Sequence, residues 1–157
     1  MTPILEARGV GKTFTRRRGL RRELVHAVRD VSFAIGRGET LGIVGESGCG
    51  KSTLARTLVA AHPPSAGEVL VEGRPVSGPG GWSRRALARH IQLVFQDPYA
   101  SLNPRLTVGS AIAEVIRVHR LRQGEAAIGA RVDELLDMVG LSPAMRGRLP
   151  HAFSGGQ

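Results

Sequence analysis

Apolar residues recur along this chain with two periods, and the change from one to the other marks its elements. Residues 4–10 and 25–35 read as strands, the second from the alternation Val31, Phe33, Ile35. Residues 40–44 and 91–95 are denser apolar runs of strand length, and each predicts a buried strand. Residues 68–76 read as a further strand that ends in a turn. Helical spacing takes over after Lys51, where Leu54, Leu58 and Val59 recur, and a short basic helix is predicted over 83–90. Two longer helices follow. One covers 108–121 with Ile112, Val115 and Ile116 on one face; the other covers 125–139 with a stripe of Ile128, Val132, Leu135, Leu136 and Val139. Gly140 suits the C-terminal cap of the second, and Ser142-Pro143 opens another helical turn. Breaks are predicted at 36–39, 62–67 and 78–81, with Trp82 beside the last as a packing residue.

Between the predicted strand 40–44 and the helix after Lys51 stands Gly45-Glu46-Ser47-Gly48-Cys49-Gly50-Lys51-Ser52-Thr53, which fits the pattern G-x-x-x-x-G-K-S/T. Strand, glycine loop and helix is the context this pattern needs. A phosphate requires many donors with no side chain in the way, and the glycines let successive backbone N–H groups turn inward toward the anion. The helix adds its positive end, worth about 0.3–1 kcal/mol at an exposed site. Lys51 is placed to reach the β- and γ-phosphates, the Ser52 hydroxyl to ligate Mg²⁺, and Thr53 to meet the α-phosphate. The loop therefore predicts binding of a nucleoside triphosphate.

The 157 residues, 41% hydrophobic and only 4% aromatic, suit one domain with an aliphatic core. No apolar run approaches the ~18 residues of a membrane span, and the N-terminus lacks signal-peptide order, so a cytosolic chain is expected. Cys49 is the sole cysteine, which removes intrachain disulfides and cysteine-based metal sites. It reads as a small filler at a variable loop position; an exposed thiol there could also make nucleotide binding sensitive to alkylation. The five histidines, His26, His62, His90, His119 and His151, show no metal-ligand spacing. A net charge of +9 arises from 22 basic against 13 acidic residues. Arg16, Arg17, Arg18, Arg21 and Arg22 cluster in a predicted loop between two strands, with no aromatic residues among them. A solvated loop is the first reading of this cluster, contact with anionic lipid the second and nucleic acid the third.

Three further stretches, taken with the phosphate loop, resemble the ATP-binding subunit of an ABC transporter. Val94-Phe95-Gln96-Asp97-Pro98 resembles the Q-loop. The resemblance implies that Gln96 lies near Mg²⁺ and the attacking water, a role suited to an amide that both donates and accepts. Phe153-Ser154-Gly155-Gly156-Gln157 resembles the signature motif L-S-G-G-Q, with Phe in place of Leu. Ser154 is a good N-cap residue, and Gly155 and Gly156 allow close backbone approach to a phosphate. In the family this motif meets the γ-phosphate of ATP held by another subunit, so sites form when two subunits pair head to tail. Phe14 occupies the position where the family places an aromatic against adenine. The longer string from Gln96-Asp97-Pro98-Tyr99-Ala100 to Thr107-Val108-Gly109, with Pro150-His151-Ala152-Phe153, is similar to the oligopeptide and dipeptide importer branch, a relative of the nickel importers.

The resemblance implies an α/β P-loop NTPase fold: an incomplete ABC nucleotide-binding domain with an N-terminal antiparallel β part, a partial parallel-sheet core and a helical subdomain. Residues 1–96 would form the β-rich part and phosphate-loop core, and 97–157 the helical subdomain. ATP and Mg²⁺ are the implied cofactors, with Gly45, Glu46, Ser47, Gly48, Cys49, Gly50, Lys51, Ser52, Thr53, Gln96 and Ser154 to Gln157 around them. Lys51 and Gln96 are the implied catalytic residues, Ser52 and Gln96 the metal-side residues. Implied partners are membrane-spanning permease subunits, a second ATP-binding subunit in a homo- or heterodimer and, indirectly, a solute-binding protein, with no nucleic acid. The implied location is cytoplasmic, on the inner face of the cell membrane. The family's Asp-Glu strand and switch histidine come after the signature and are not among these residues. Weak ATP·Mg binding, negligible hydrolysis, open sheet edges, marginal stability and self-association are therefore expected. Two rivals remain: a DNA-associated ABC ATPase, motivated by the charge, and a non-catalytic module that competes for the permease.

Overall fold

A computed structural model describes residues 2–19, 21–97 and 101–157. Pro98, Tyr99 and Ala100, which belong to the strings quoted above, lie outside the described residues. The chain divides into two compact units, Met1–Leu93 and Val94–Gln157.

In the first unit β1 (Leu5–Arg18) and β2 (Arg21–Ile35) form a long antiparallel hairpin, and β3 (Ala66–Val71) and β4 (Arg74–Pro75) complete a sheet of order β2-β1-β3-β4. The register runs from Leu5↔Ile35 to Arg18↔Arg21, with irregularities between Ala7 and Thr13. The arginine cluster is thus the paired end of a hairpin rather than a loop. Both faces of that end are exposed, so no apolar alternation betrays it, whereas backbone pairing needs no particular side chains. Helix α1 (Lys51–Leu58) packs Leu54 and Leu58 against Ala7, Val10, Val28, Val69 and Val71, an aliphatic core as composition predicts. Burying a side chain such as Val10 or Val69 contributes about 1.5–3 kcal/mol. The short helix α2 (Arg84–Leu87) is narrower than the predicted 83–90, and the Ser83 hydroxyl caps it by accepting from the Ala86 N–H at 3.3 Å. Trp82 packs on this core, donating from its indole nitrogen to the Val71 carbonyl at 3.1 Å.

Residues 40–44 and 91–95 depart from expectation: neither forms a ladder, and among the described residues no parallel pairing exists. A strand needs a neighbour to take its N–H and C=O groups, and no described segment pairs with either run. Val44 and Val94 are each 93% exposed in consequence.

In the second unit α3 (Val108–Val118) and α4 (Glu125–Met138) bury Ala113, Ile116, Ile128, Val132 and Leu136 together. Two residues of the predicted stripes turn outward. Val115 is 52% exposed and Val139 70%; Ala113 takes the inward place beside Ile116, and Val139 is already the cap residue of α4. Gly140, at φ 75°, ends α4 as anticipated, with its N–H on the Asp137 carbonyl (2.9 Å) and that of Leu141 on Leu136 (2.9 Å). The turn predicted at Ser142-Pro143 is a 3₁₀ helix, Pro143–Gly147.

Candidate functional site

The phosphate loop leads into α1 at Lys51, and the first N–H groups of a helix have no partner within it. Gly50 is the cap, in the left-handed region at φ 102° and with no side chain to occupy the donors. Its conformation and its position both require glycine: a Cβ there would fall 2.1 Å from the Ala27 carbonyl oxygen on β2. The loop is thereby pressed against the sheet. Its residues 45–49 and Ser52 are exposed, and no acidic side chain stands in the first turn of α1 to repel an anion.

Lys51 turns back over the loop. Its ammonium donates to the carbonyls of Gly45 (2.6 Å) and Glu46 (2.7 Å) and lies 3.7 Å from the Cys49 sulfur. These bonds hold one positive charge above a ring of glycine backbone. The donor set, with N–H groups at a helix start, an ammonium and the Ser52 and Thr53 hydroxyls, fits a polyphosphate and contains no hydrophobic barrier to it. Behind the loop Thr57, fully buried, donates its hydroxyl to the Thr53 carbonyl at 2.9 Å. A cavity of about 470 Å³ lies alongside, bounded by Cys49, Gly50 and Lys51 on one side and His26 to Arg29 of β2 on the other.

Phe14 does not line that cavity. It stands on β1, 37% exposed, with Lys12 Nζ 5.2 Å from its ring centre and the His62 ring edge-on at 5.5 Å. The segment after α1 fixes this pair: Lys12 donates to the Pro63 carbonyl (2.7 Å) and the Thr13 N–H to the Ser65 hydroxyl (3.1 Å). The sequence does not reveal His62 as a neighbour of Phe14. His62 reaches Phe14 from beyond α1, a contact that no local periodicity signals, whereas Lys12 precedes Phe14 by two residues on the same strand.

Gln96 and the Phe153–Gln157 stretch belong to the second unit, and the phosphate loop to the first. Gln96 is exposed. Ser154 and Gln157 close a turn on each other: the Ser154 N–H donates to Gln157 Oε1 and the Gln157 N–H to the Ser154 carbonyl, both at 3.0 Å. Gly155 and Gly156 sit at its exposed tip, with open space where a Cβ would stand. Phe153 and Ser154 border a small cavity of about 130 Å³ with Leu102 and Leu141.

Comparison with known proteins identifies the family. The family described as ABC transporter matches residues 28–157. The oligopeptide transport ATP-binding protein AppF of Bacillus subtilis is 48% identical over 158 residues, covering 98% of this chain and 48% of that protein. The glutathione import ATP-binding protein GsiA of Salmonella typhimurium is also 48% identical, over 99% of this chain and 25% of its own length. The chain thus spans half or less of the curated relatives it matches. Among solved structures, the dimeric ATP-binding cassette MJ0796 bound to ADP and Pi superposes with a TM-score of 0.76 at 26% identity, covering 98% of this chain and 64% of that one. The cbiO1 subunit from Clostridium perfringens gives 0.70 at 26% identity, over 100% and 58%. With the family matched over residues 28–157, from within β2 onward, the chain belongs to the ABC transporter family as part of an ATP-binding domain.

Proposed function

We propose that this chain forms the nucleotide-holding part of an ATP-binding subunit that drives import of peptides or a related solute. The observation that carries the reading is the phosphate loop, with Gly50 seated on β2 and Lys51 Nζ poised over the loop carbonyls, in a sequence 48% identical to an oligopeptide transport ATP-binding protein. Lys51 leaves its two carbonyl bonds for the β- and γ-phosphates, and the N–H groups at the start of α1 take the rest of the anion. Ser52 is the hydroxyl ligand for Mg²⁺, which when bound neutralises phosphate charge. Phe14, with its exposed face, is the surface for the adenine ring. The Ser154–Gln157 turn presents its glycines to a nucleotide held by a second subunit, and Gln96 serves the metal and water side of the completed site. Permease subunits complete the assembly, at the inner face of the cell membrane.

Uptake of a labelled oligopeptide by cells with and without the gene for this protein tests the solute class. Loss of uptake, restored by the wild-type gene and not by one carrying Lys51→Ala, is expected. Unchanged peptide uptake would assign the subunit to another solute.

A further inference from the structure

The far end of the β1–β2 hairpin, beyond Phe14, concentrates positive charge. Cross-strand partners there are Arg16↔Glu23, Arg17↔Arg22 and Arg18↔Arg21. Two of the three pairs place arginine directly opposite arginine, an arrangement that destabilises an isolated ribbon. Arg16, Arg17, Arg21 and Arg22 are exposed, and among the described residues none of them takes part in an ion pair. Residues 16–23 thus carry five arginines against the single carboxylate of Glu23. Sheet alternation puts Leu24, 61% exposed, on the face of Arg17 and Arg22. Val25, 42% exposed, follows on the other face.

We propose that this hairpin end is a docking surface for an anionic lipid bilayer. Guanidinium groups bind phosphate oxygens with two parallel N–H donors, and a surface dense in phosphates supplies the countercharge that Arg17, Arg21 and Arg22 lack among the described residues. Leu24 beside Arg17 and Arg22 adds an apolar contact that a headgroup–acyl boundary accepts and a nucleic-acid backbone does not. The ribbon has no aromatic residue from Thr15 to Leu24 on which a base could stack, which disfavours single-stranded nucleic acid. The inference is independent of the proposed transport role, since neither nucleotide nor permease enters it.

Co-sedimentation of the purified chain with phosphatidylcholine vesicles, and with vesicles that also contain phosphatidylglycerol, tests it. Binding to the anionic vesicles alone is expected, falling as salt rises. An arginine near such a surface is worth about fivefold in partitioning, so the triple variant Arg17→Ala, Arg21→Ala, Arg22→Ala should bind roughly a hundredfold more weakly. That variant removes only exposed groups and relieves like-charge repulsion, so its thermal midpoint should not fall; a circular dichroism melt checks this. Leu24→Ser should weaken vesicle binding further while leaving the affinity for duplex DNA unchanged. Equal partitioning to both vesicle types, or an unaffected triple variant, overturns the proposal. So does tight, salt-sensitive binding of DNA with none of vesicles, which would assign the surface to nucleic acid.

Discussion

Two glycines of one loop separate what conformation requires from what packing requires. Gly48 stands at φ 82° with nothing within 4 Å of a Cβ, whereas Gly50 at φ 102° faces a backbone oxygen at 2.1 Å. Gly48→Ala should therefore cost only the left-handed penalty, about 1–2 kcal/mol. Gly50→Ala should cost roughly 3 kcal/mol or more, because the loop must lift off β2. Paired denaturant melts of the two variants would check the order. A second residue-scale case is the Glu125 carboxylate, held below its ordinary value of 4.5 by hydrogen bonds from Arg117 at 3.0 and 2.5 Å. A depressed carboxylate stabilises the fold above the unfolded value and loses that contribution as pH falls through the folded one. Stability should therefore decline below about pH 4.5, and Arg117→Ala should flatten that decline in melts taken across the range. The phosphate loop was legible in sequence because backbone chemistry fixes its spacing, and Lys51 and Gly50 stand where the pattern puts them. The Ala27 carbonyl under Gly50 was not legible, since a backbone atom leaves no trace in residue type.

Helix ends show the same division at the scale of elements. All three longer helices close with a left-handed residue after the cap, but only α4 uses glycine there, at Gly140. Helix α1 uses Ala60 at φ 56°, with its N–H on Thr57 and that of Ala61 on Arg56; α3 uses Arg120 at φ 53°. Ala60→Gly and Arg120→Gly should each raise stability by about 0.5–1 kcal/mol, and Gly140→Ala should lower it by a similar amount, as thermal melts would show. Sequence periodicity identified α1, α3 and α4 because each buries one stripe against a partner within its own unit. It overstated residues 40–44 and 91–95, where the apolar run is present but no neighbouring strand takes its hydrogen bonds. It also missed the arginine end of the hairpin, which forms without burying anything.

At the scale of the whole molecule, two units each carry their own core, and several large apolar side chains stay outside both. Leu41, Ile43 and Val44 in the first unit and Val94 and Phe95 in the second are between 45% and 93% exposed, in runs whose backbones carry no ladder. Unpaired apolar backbone of this kind recruits further copies. Sedimentation velocity should therefore show oligomers that grow with concentration, and Val44→Lys with Val94→Lys should shift the chain toward monomer. A wild-type chain that stays monomeric would refute this. The proposed site, Gly45 to Thr53, holds its nucleoside triphosphate through Lys51. Equilibrium titration of ATP·Mg onto the purified chain and onto Lys51→Ala measures it most directly. A charge-assisted bond of about 1.5–3 kcal/mol predicts roughly tenfold to hundredfold weaker binding by the variant, with an unchanged circular dichroism spectrum. Equal affinity in the two proteins would contradict the account.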